Sequence, residues 1–124
     1  MKTLNIILLA IGLLLMTASC SKEEPGIRYE ILNPEVLQSQ TGDTFTLELS
    51  FEDEDGISQI VIESKDLGID ELENLNNRPT NILRNISIVI PDDAEVDDLY
   101  TINLEVSDDK GYRIQDSFDI EVTN

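Results

Sequence analysis

Apolar and polar residues alternate along most of the chain after residue 26, which is the pattern of strands with one buried face. The clearest run places Phe45, Leu47, Leu49 and Phe51 on one side and polar side chains on the other. Similar runs predict strands over residues 27–32, 57–63, 86–90, 100–106 and 118–122. A seventh strand is expected around Leu67–Ile69 or near Val36.

Turn-forming residues separate the predicted strands, as at Asn33-Pro34, Asp55-Gly56 and Asp109-Lys110-Gly111. About seven short strands of this kind predict an all-β, antiparallel two-sheet sandwich, which we place at residues 27–124. One stretch departs from the pattern. In residues 66–83 the apolar spacing is that of a helical turn, but Asn and Pro follow at once, so we expect a loop with one turn of helix.

The first twenty residues have the layout of an export signal. Lys2 is followed by an almost wholly apolar run over residues 4–16, which is too short to span a bilayer comfortably. The small residues Thr17-Ala18-Ser19 then precede Cys20, the only cysteine of the chain. These features predict a signal peptide at residues 1–19 and a polar tether at residues 20–26.

The run that ends at Cys20 resembles the bacterial lipobox, although Thr17 stands where most lipoboxes carry Leu. The resemblance implies that Cys20 becomes a lipidated N-terminus and anchors the protein to a membrane. The following Ser21-Lys22-Glu23-Glu24 resembles the surface-export signal of Gram-negative lipoproteins, which implies an outer-membrane protein on the cell surface. An ordinary secretory signal with an incidental cysteine is the alternative.

The predicted mature chain is strongly acidic. Residues 20–124 carry seven basic and 26 acidic side chains, a formal charge of −19. Such a surface repels phosphate backbones, so nucleic acid is excluded as a partner. The chain also lacks histidine and tryptophan, and lipidation would use its single thiol, so we expect no enzyme. A hydrolase with paired carboxylates is disfavoured, because one small sandwich offers little cleft.

Residues 91–122 resemble the last two strands of an immunoglobulin-like or cadherin-like domain, with residues 99–106 as strand F. Tyr100 falls where such domains carry a tyrosine corner, whose hydroxyl bonds to upstream backbone. Ile102 replaces the cysteine of antibody domains, so the resemblance is to a disulfide-free relative. The alternative role of Tyr100 is that of a plain core aromatic.

Two acidic loops, residues 52–56 and 107–111, resemble the calcium-binding loops of cadherins. The resemblance implies that Asp53, Asp55, Asp108 and Asp109 converge at one end of the sandwich and bind Ca²⁺, with Glu23 or Glu24 as further ligands from the tether. The alternative is that these aspartates are ordinary turn residues. Another acidic group, residues 92–98, is expected at the opposite end and exposed to solvent.

These observations favour a non-catalytic lipoprotein of the cell surface, whose binding or scaffold module contacts a protein or another extracellular ligand. The alternative is a glycan-binding accessory lipoprotein of an outer-membrane sugar-uptake system. Sugars usually stack on aromatic rings, and the candidates for that contact are Tyr29 and Tyr112.

Overall fold

Residues 26–124 are described by the computed structural model, and strands dominate them. The strands are β1 (Arg28–Ile31), β2 (Gln38–Ser39), β3 (Thr44–Glu52), β4 (Ile57–Ser64), β5 (Ile69–Asn74), β6 (Asn81–Val89), β7 (Leu99–Asp108) and β8 (Arg113–Val122). One turn of 3-10 helix covers Pro34–Leu37, and no helix in residues 26–124 has the length and apolar character needed to cross a bilayer. The predicted signal peptide, Cys20 and residues 21–25 of the tether lie outside the described residues.

The strands form two sheets, in the orders β1-β3-β6 and β2-β8-β7-β4-β5. Neighbouring strands are antiparallel except for the short β2, which pairs with the end of β8 in parallel. The predicted all-β, two-sheet sandwich is therefore confirmed. Every strand and the whole buried core lie within residues 27–122, so a chain that begins at residue 21 retains all of them.

The core lies between the sheets and follows the alternation of the sequence. In β3 the buried side chains are Leu47, Leu49 and Phe51, and in β7 they include Ile102, Leu104 and Val106. The polar residues between them face outward, because successive side chains of a strand point to opposite faces. Burial of these apolar side chains, at roughly 25 cal/mol per Å² removed from water, is the main stabilising contribution to a fold without a disulfide.

The expectation of a loop with a helical turn over residues 66–83 was wrong, whereas a strand does begin at Ile69, where one of the two positions for a seventh strand was expected. Instead of a loop with a helical turn, this stretch contains β5 and the start of β6, joined by residues 75–80. The usual alternation is reversed in β5, because this is an edge strand. Leu72 is 61% exposed, and Glu71 and Glu73 lie opposite the buried Ile62 and Ile60 of β4. The helical turn of the described residues is instead at Pro34–Leu37, where proline suits the first turn.

An ion pair joins the two sheets along one side of the sandwich. Arg84 of β6 and Glu73 of β5 are half-buried, and the Arg84 Nε donates to Glu73 Oε1 at 2.6 Å while Nη2 contacts Oε2. This bidentate contact holds the pKa of Glu73 below its ordinary value. The polar pair covers the core where β5 and β6 leave it open.

A second polar contact closes the other side. Asp116 takes the core-facing position between Ile114 and Phe118 of β8, and accepts a hydrogen bond from the Tyr29 hydroxyl at 2.8 Å. The Tyr29 ring lies 6.5 Å from the rings of both Phe51 and Phe118. Burial, followed by the bond to Asp116 and its charge, raises the pKa of Tyr29 to about 12. Strand β8 begins at Arg113, earlier than the predicted strand at 118–122, because its backbone pairs with β7 as far as Arg113 opposite Ser107.

Candidate metal centre

Three loops meet at one end of the sandwich, which we call the site end: residues 53–56, 75–80 and 109–112. Backbone bonds join the first two, since Asp53 N donates to Thr80 O at 3.0 Å and Ile57 N to Pro79 O at 2.8 Å. Asp109 N donates to Gly56 O at 2.9 Å, which joins the first to the third. The last of these bonds joins residues more than fifty positions apart, and the loops that it joins follow β3 and β7, which belong to different sheets.

Three of the predicted ligands converge there. Asp53, Asp55 and Asp108 each offer one carboxylate oxygen, and these three oxygens lie within 4.8 Å of one another. Asp53 and Asp108 are only 2% and 3% exposed. We call these three residues the aspartate triad. The exposed residues 92, 93 and 97 lie at the opposite end, as expected, with Asp98 half-buried beside them.

Each buried carboxylate of the triad has one oxygen bonded and one left over. Asp53 Oδ2 accepts from Asp55 N at 3.1 Å, and Asp108 Oδ1 accepts from Lys110 N and Tyr112 N, both at 2.9 Å. Asp53 Oδ1 and Asp108 Oδ2 are buried and accept no hydrogen bond from residues 26–124. Buried polar atoms without a partner are rare in folded proteins, and a bound cation is one of the explanations for them.

The triad concentrates negative charge. Burial raises the pKa of Asp53, and the charge of Asp108 raises it further, with smaller contributions from Asp55 and Glu54. Opposing this, the Asp55 amide hydrogen bond lowers the pKa. Within residues 26–124, the one ion pair of the triad is that of Asp55 with the exposed Lys110, whose Nζ lies 3.6 Å from Asp55 Oδ1. An ionised carboxylate buried without a compensating charge costs several kcal/mol, so this arrangement fits a site for a cation.

The predicted ligand Asp109 is placed differently. Its exposed carboxylate accepts from Arg78 Nε at 2.8 Å, outside the triad. Arg78 also donates from Nη1 to Leu75 O at 2.6 Å, so its side chain joins two of the site-end loops. Nothing in the sequence singled out Arg78, because it lies in the stretch expected to be an irregular loop.

The start of the domain passes beside the triad. Gly26 directly precedes the buried Ile27, and a Cβ built on Gly26 would lie 3.4 Å from Asp53 Oδ1. Gly26, the last residue of the predicted tether, therefore lies at the site end. Glu23 and Glu24, expected as further ligands from this tether, lie outside the described residues.

The tyrosines occupy three different settings. Tyr100 is half-buried against the core and makes no hydrogen bond within residues 26–124, which favours the alternative of a core aromatic over a tyrosine corner. Burial, followed by the charges of Asp98, Asp93 and Asp66, raises its pKa. Tyr29 is packed against Phe51 and Phe118, so of the two candidates for sugar stacking Tyr112, at 42% exposure, is the accessible one.

Comparison with known proteins does not add a family to this picture. No protein-family model matches the chain, and no curated protein matches it. The candidate site therefore rests on its own residues and their geometry.

Gly56 shapes the loop that carries Asp53 and Asp55, and replacing it should destabilise the fold. Its φ is +95°, and an added Cβ would lie 2.7 Å from Arg78 O. Gly111 is the matched control, because it has φ +90° but no atom within 4 Å of an added Cβ. Both alanine variants carry about 1–2 kcal/mol of left-handed strain, and Gly56→Ala should lose about 1–3 kcal/mol more through overlap. Urea unfolding measures both, and equal losses would contradict the packing of Gly56 against Arg78.

Neutralising Asp53 should stabilise the cation-free fold at neutral pH. Because the pKa of Asp53 is raised in the folded chain, the folded state binds a proton more tightly than the unfolded state. The contribution of Asp53 to the free energy of unfolding therefore falls as the pH rises from about 4, the unfolded pKa of aspartate, through its pKa in the folded chain.

In chelator, the melting temperature of Asp53→Asn should thus exceed that of the wild type by a margin that grows between about pH 4 and pH 7. Asp92→Asn, at an exposed position of the opposite end, is the control and should show no such trend. A margin for Asp53→Asn that stays constant with pH would show that its carboxylate is not destabilised in the folded chain.

Proposed function

We propose that this chain is a non-catalytic binding or scaffold module of the cell surface, an immunoglobulin-like sandwich anchored through lipid on Cys20 and stabilised by one calcium ion at the aspartate triad. The observation that carries the calcium site is the pair of buried, unpartnered oxygens, Asp53 Oδ1 and Asp108 Oδ2, contributed by loops of different sheets. The anchor is supported by the sequence of residues 1–24.

The donor set favours calcium over other cations. All three side chains of the triad supply oxygen, and no histidine occurs in the chain, so transition metals that prefer nitrogen or sulfur are poorly served. Calcium–oxygen distances of about 2.3–2.6 Å allow ligand oxygens up to about 5 Å apart around one ion. The spacing of the triad, within 4.8 Å, matches that range. Magnesium requires shorter distances and a stricter octahedron.

The role of the ion would be structural. It would neutralise charge that the fold buries, and it would hold the β3–β4 loop to the β7–β8 loop across the two sheets. Because Gly26 lies beside Asp53, the same ion would stiffen the point where the tether joins the domain. An anchored module with a rigid junction presents its sheet faces and edges at a defined orientation above the membrane.

Calcium should raise the melting temperature of a chain comprising residues 21–124. At a free concentration of 100 times Kd, the expected stabilisation is about 2.7 kcal/mol. Asp53→Asn and Asp108→Asn should each abolish most of the shift, since each removes one buried charge from the triad. Asp109→Asn is the control with the same change of charge, and because its carboxylate pairs with Arg78 it should keep the shift. A wild-type melting temperature that does not respond to calcium would eliminate the metal site.

The lipid anchor has its own test. Protein isolated from membranes of the native host should have an intact mass that corresponds to a chain beginning at Cys20 with diacylglycerol on the sulfur. Cys20→Ser should prevent this modification and release the protein from the membrane fraction. Protease added to whole cells should digest the wild-type protein if it is displayed outside. A mass showing an unmodified thiol at Cys20 would contradict the anchor and leave the calcium site unaffected.

A further inference from the structure

Strand β6 is a long, regular and unpaired edge. It contains nine residues, pairs with β3 over its whole length without a shift of register, and has no strand from residues 26–124 on its other side. Within residues 26–124, the one pairing with a shift of register is that of β4 with β7, between Ile57 and Gln59. A straight edge of this length offers a row of free backbone donors and acceptors.

The hydrogen bonds around β3 identify which groups of β6 are free. Leu32 N donates to Glu48 O, and Asn33 bonds to Thr46 O and Glu48 N, so the backbone of Thr46 and Glu48 points towards β1. Bonding alternates along an antiparallel strand, so the even-numbered residues of β6 bond to β3 and the odd-numbered ones point outward. Leu83 O agrees with this assignment, since it accepts from the side chain of Arg84.

The β6 edge also lacks the charges that protect other edges. The edge strand β5 carries Asp70, Glu71 and Glu73. Strand β8, which the two-residue β2 covers only at Glu121 and Val122, carries Asp116 and Asp119 along its uncovered part. Strand β6 carries no carboxylate, and its single charge, Arg84, is turned inward to Glu73. Leu83 and Val89 are 63% and 59% exposed on its outer face. In a chain of 26 acidic residues, this edge is unprotected against strand pairing.

The charge beside the edge indicates what would pair with it. Glu71 lies on the same face of β5 as Glu73, which contacts β6 through Arg84, and Glu71 has no ion pair within residues 26–124. A strand added beside β6 would point alternate side chains inward, towards Glu71 of β5. Its other side chains would lie on the outer face of the sheet, with Leu83 and Val89. Cationic side chains suit the first set and apolar side chains the second. A second copy of this chain suits the edge poorly, because its own β5 would bring further carboxylates to the same place.

We propose that β6 accepts an extended segment of a partner protein as an added antiparallel strand, with basic side chains facing β5 and apolar side chains on the outer face. This inference rests on the proposed role as a binding module and names the surface that performs it. The affinity would come from the outward backbone groups of residues 85, 87 and 89 together with the Leu83 amide, since the Leu83 carbonyl already accepts from Arg84, and the specificity would come from Glu71.

The probe is a fluorescein-labelled nine-residue peptide of alternating lysine and valine, titrated with residues 21–124 at about 0.15 M salt, where distant charges are screened. Asn85→Pro removes an outward N–H and should weaken binding about tenfold or more, whereas Asn85→Ser keeps the N–H and should bind as the wild type does. Glu71→Gln should weaken binding several-fold, and the matched change of charge Asp92→Asn should not. Fluorescence anisotropy measures each affinity.

Hydrogen exchange of the wild type gives a readout that needs no proline variant. Bound peptide should protect the amides of Leu83, Asn85 and Ser87 and leave β5 and β8 unchanged. Equal affinity for Asn85→Pro and Asn85→Ser, or protection spread over the acidic surface, would overturn the proposal. A dimer in sedimentation equilibrium that Asn85→Pro dissociates would also overturn it, with a second copy as the occupant. If the peptide test fails while calcium still raises the melting temperature and Cys20 is still lipidated, the proposed anchor and metal site remain.

Discussion

The burial of two like charges at one end of the sandwich is the constraint that organises the site end of this protein. Asp53 directly follows β3 and Asp108 ends β7, and these two strands belong to different sheets. Backbone hydrogen bonds between the adjoining loops nevertheless hold both carboxylates out of water. Backbone amides of the loops donate hydrogen bonds to one oxygen of each carboxylate, and the other oxygen accepts none from residues 26–124. A fold that gained nothing from this arrangement would pay for it in stability, because a buried carboxylate without a partner is costly. The calcium ion that we propose would compensate this cost.

The same acidic composition explains how the sides of the sandwich are closed. Each side has a core-facing carboxylate with a partner from the opposite sheet: Glu73 with Arg84, and Asp116 with Tyr29. These contacts cover the core without adding apolar surface at the edges. They also direct the single charge of β6 inward, which leaves that strand as the neutral edge of an otherwise acidic molecule. The proposed docking surface is thus a consequence of how the core is sealed.

The alternation that predicts a strand is clear where one face of the strand is fully buried, and it is lost where burial is partial. Strands β3 and β7 lie inside their sheets, so the alternation of Leu47, Leu49 and Phe51 is complete and easily read. Strand β5 lies at an edge, where Glu71 and Glu73 occupy core-facing positions and Leu72 is exposed, so its alternation is absent and the stretch resembled a loop. The acidic loops predicted that Asp53, Asp55 and Asp108 lie together. They did not predict that Asp109 pairs with Arg78, because this contact depends on a loop whose course the sequence did not indicate.

The class of fold, the acidity and the candidate signal that ends at Cys20 can all be read from the sequence alone. These properties depend on local periodicity and composition, which need no knowledge of what lies opposite each residue. The folded arrangement is needed to show which carboxylates share a buried space, which aromatics are already packed and which strand edge of residues 26–124 has no neighbouring strand and no outward charge. Those are relations between residues far apart in the chain, and they arise only when the two sheets close over a common core.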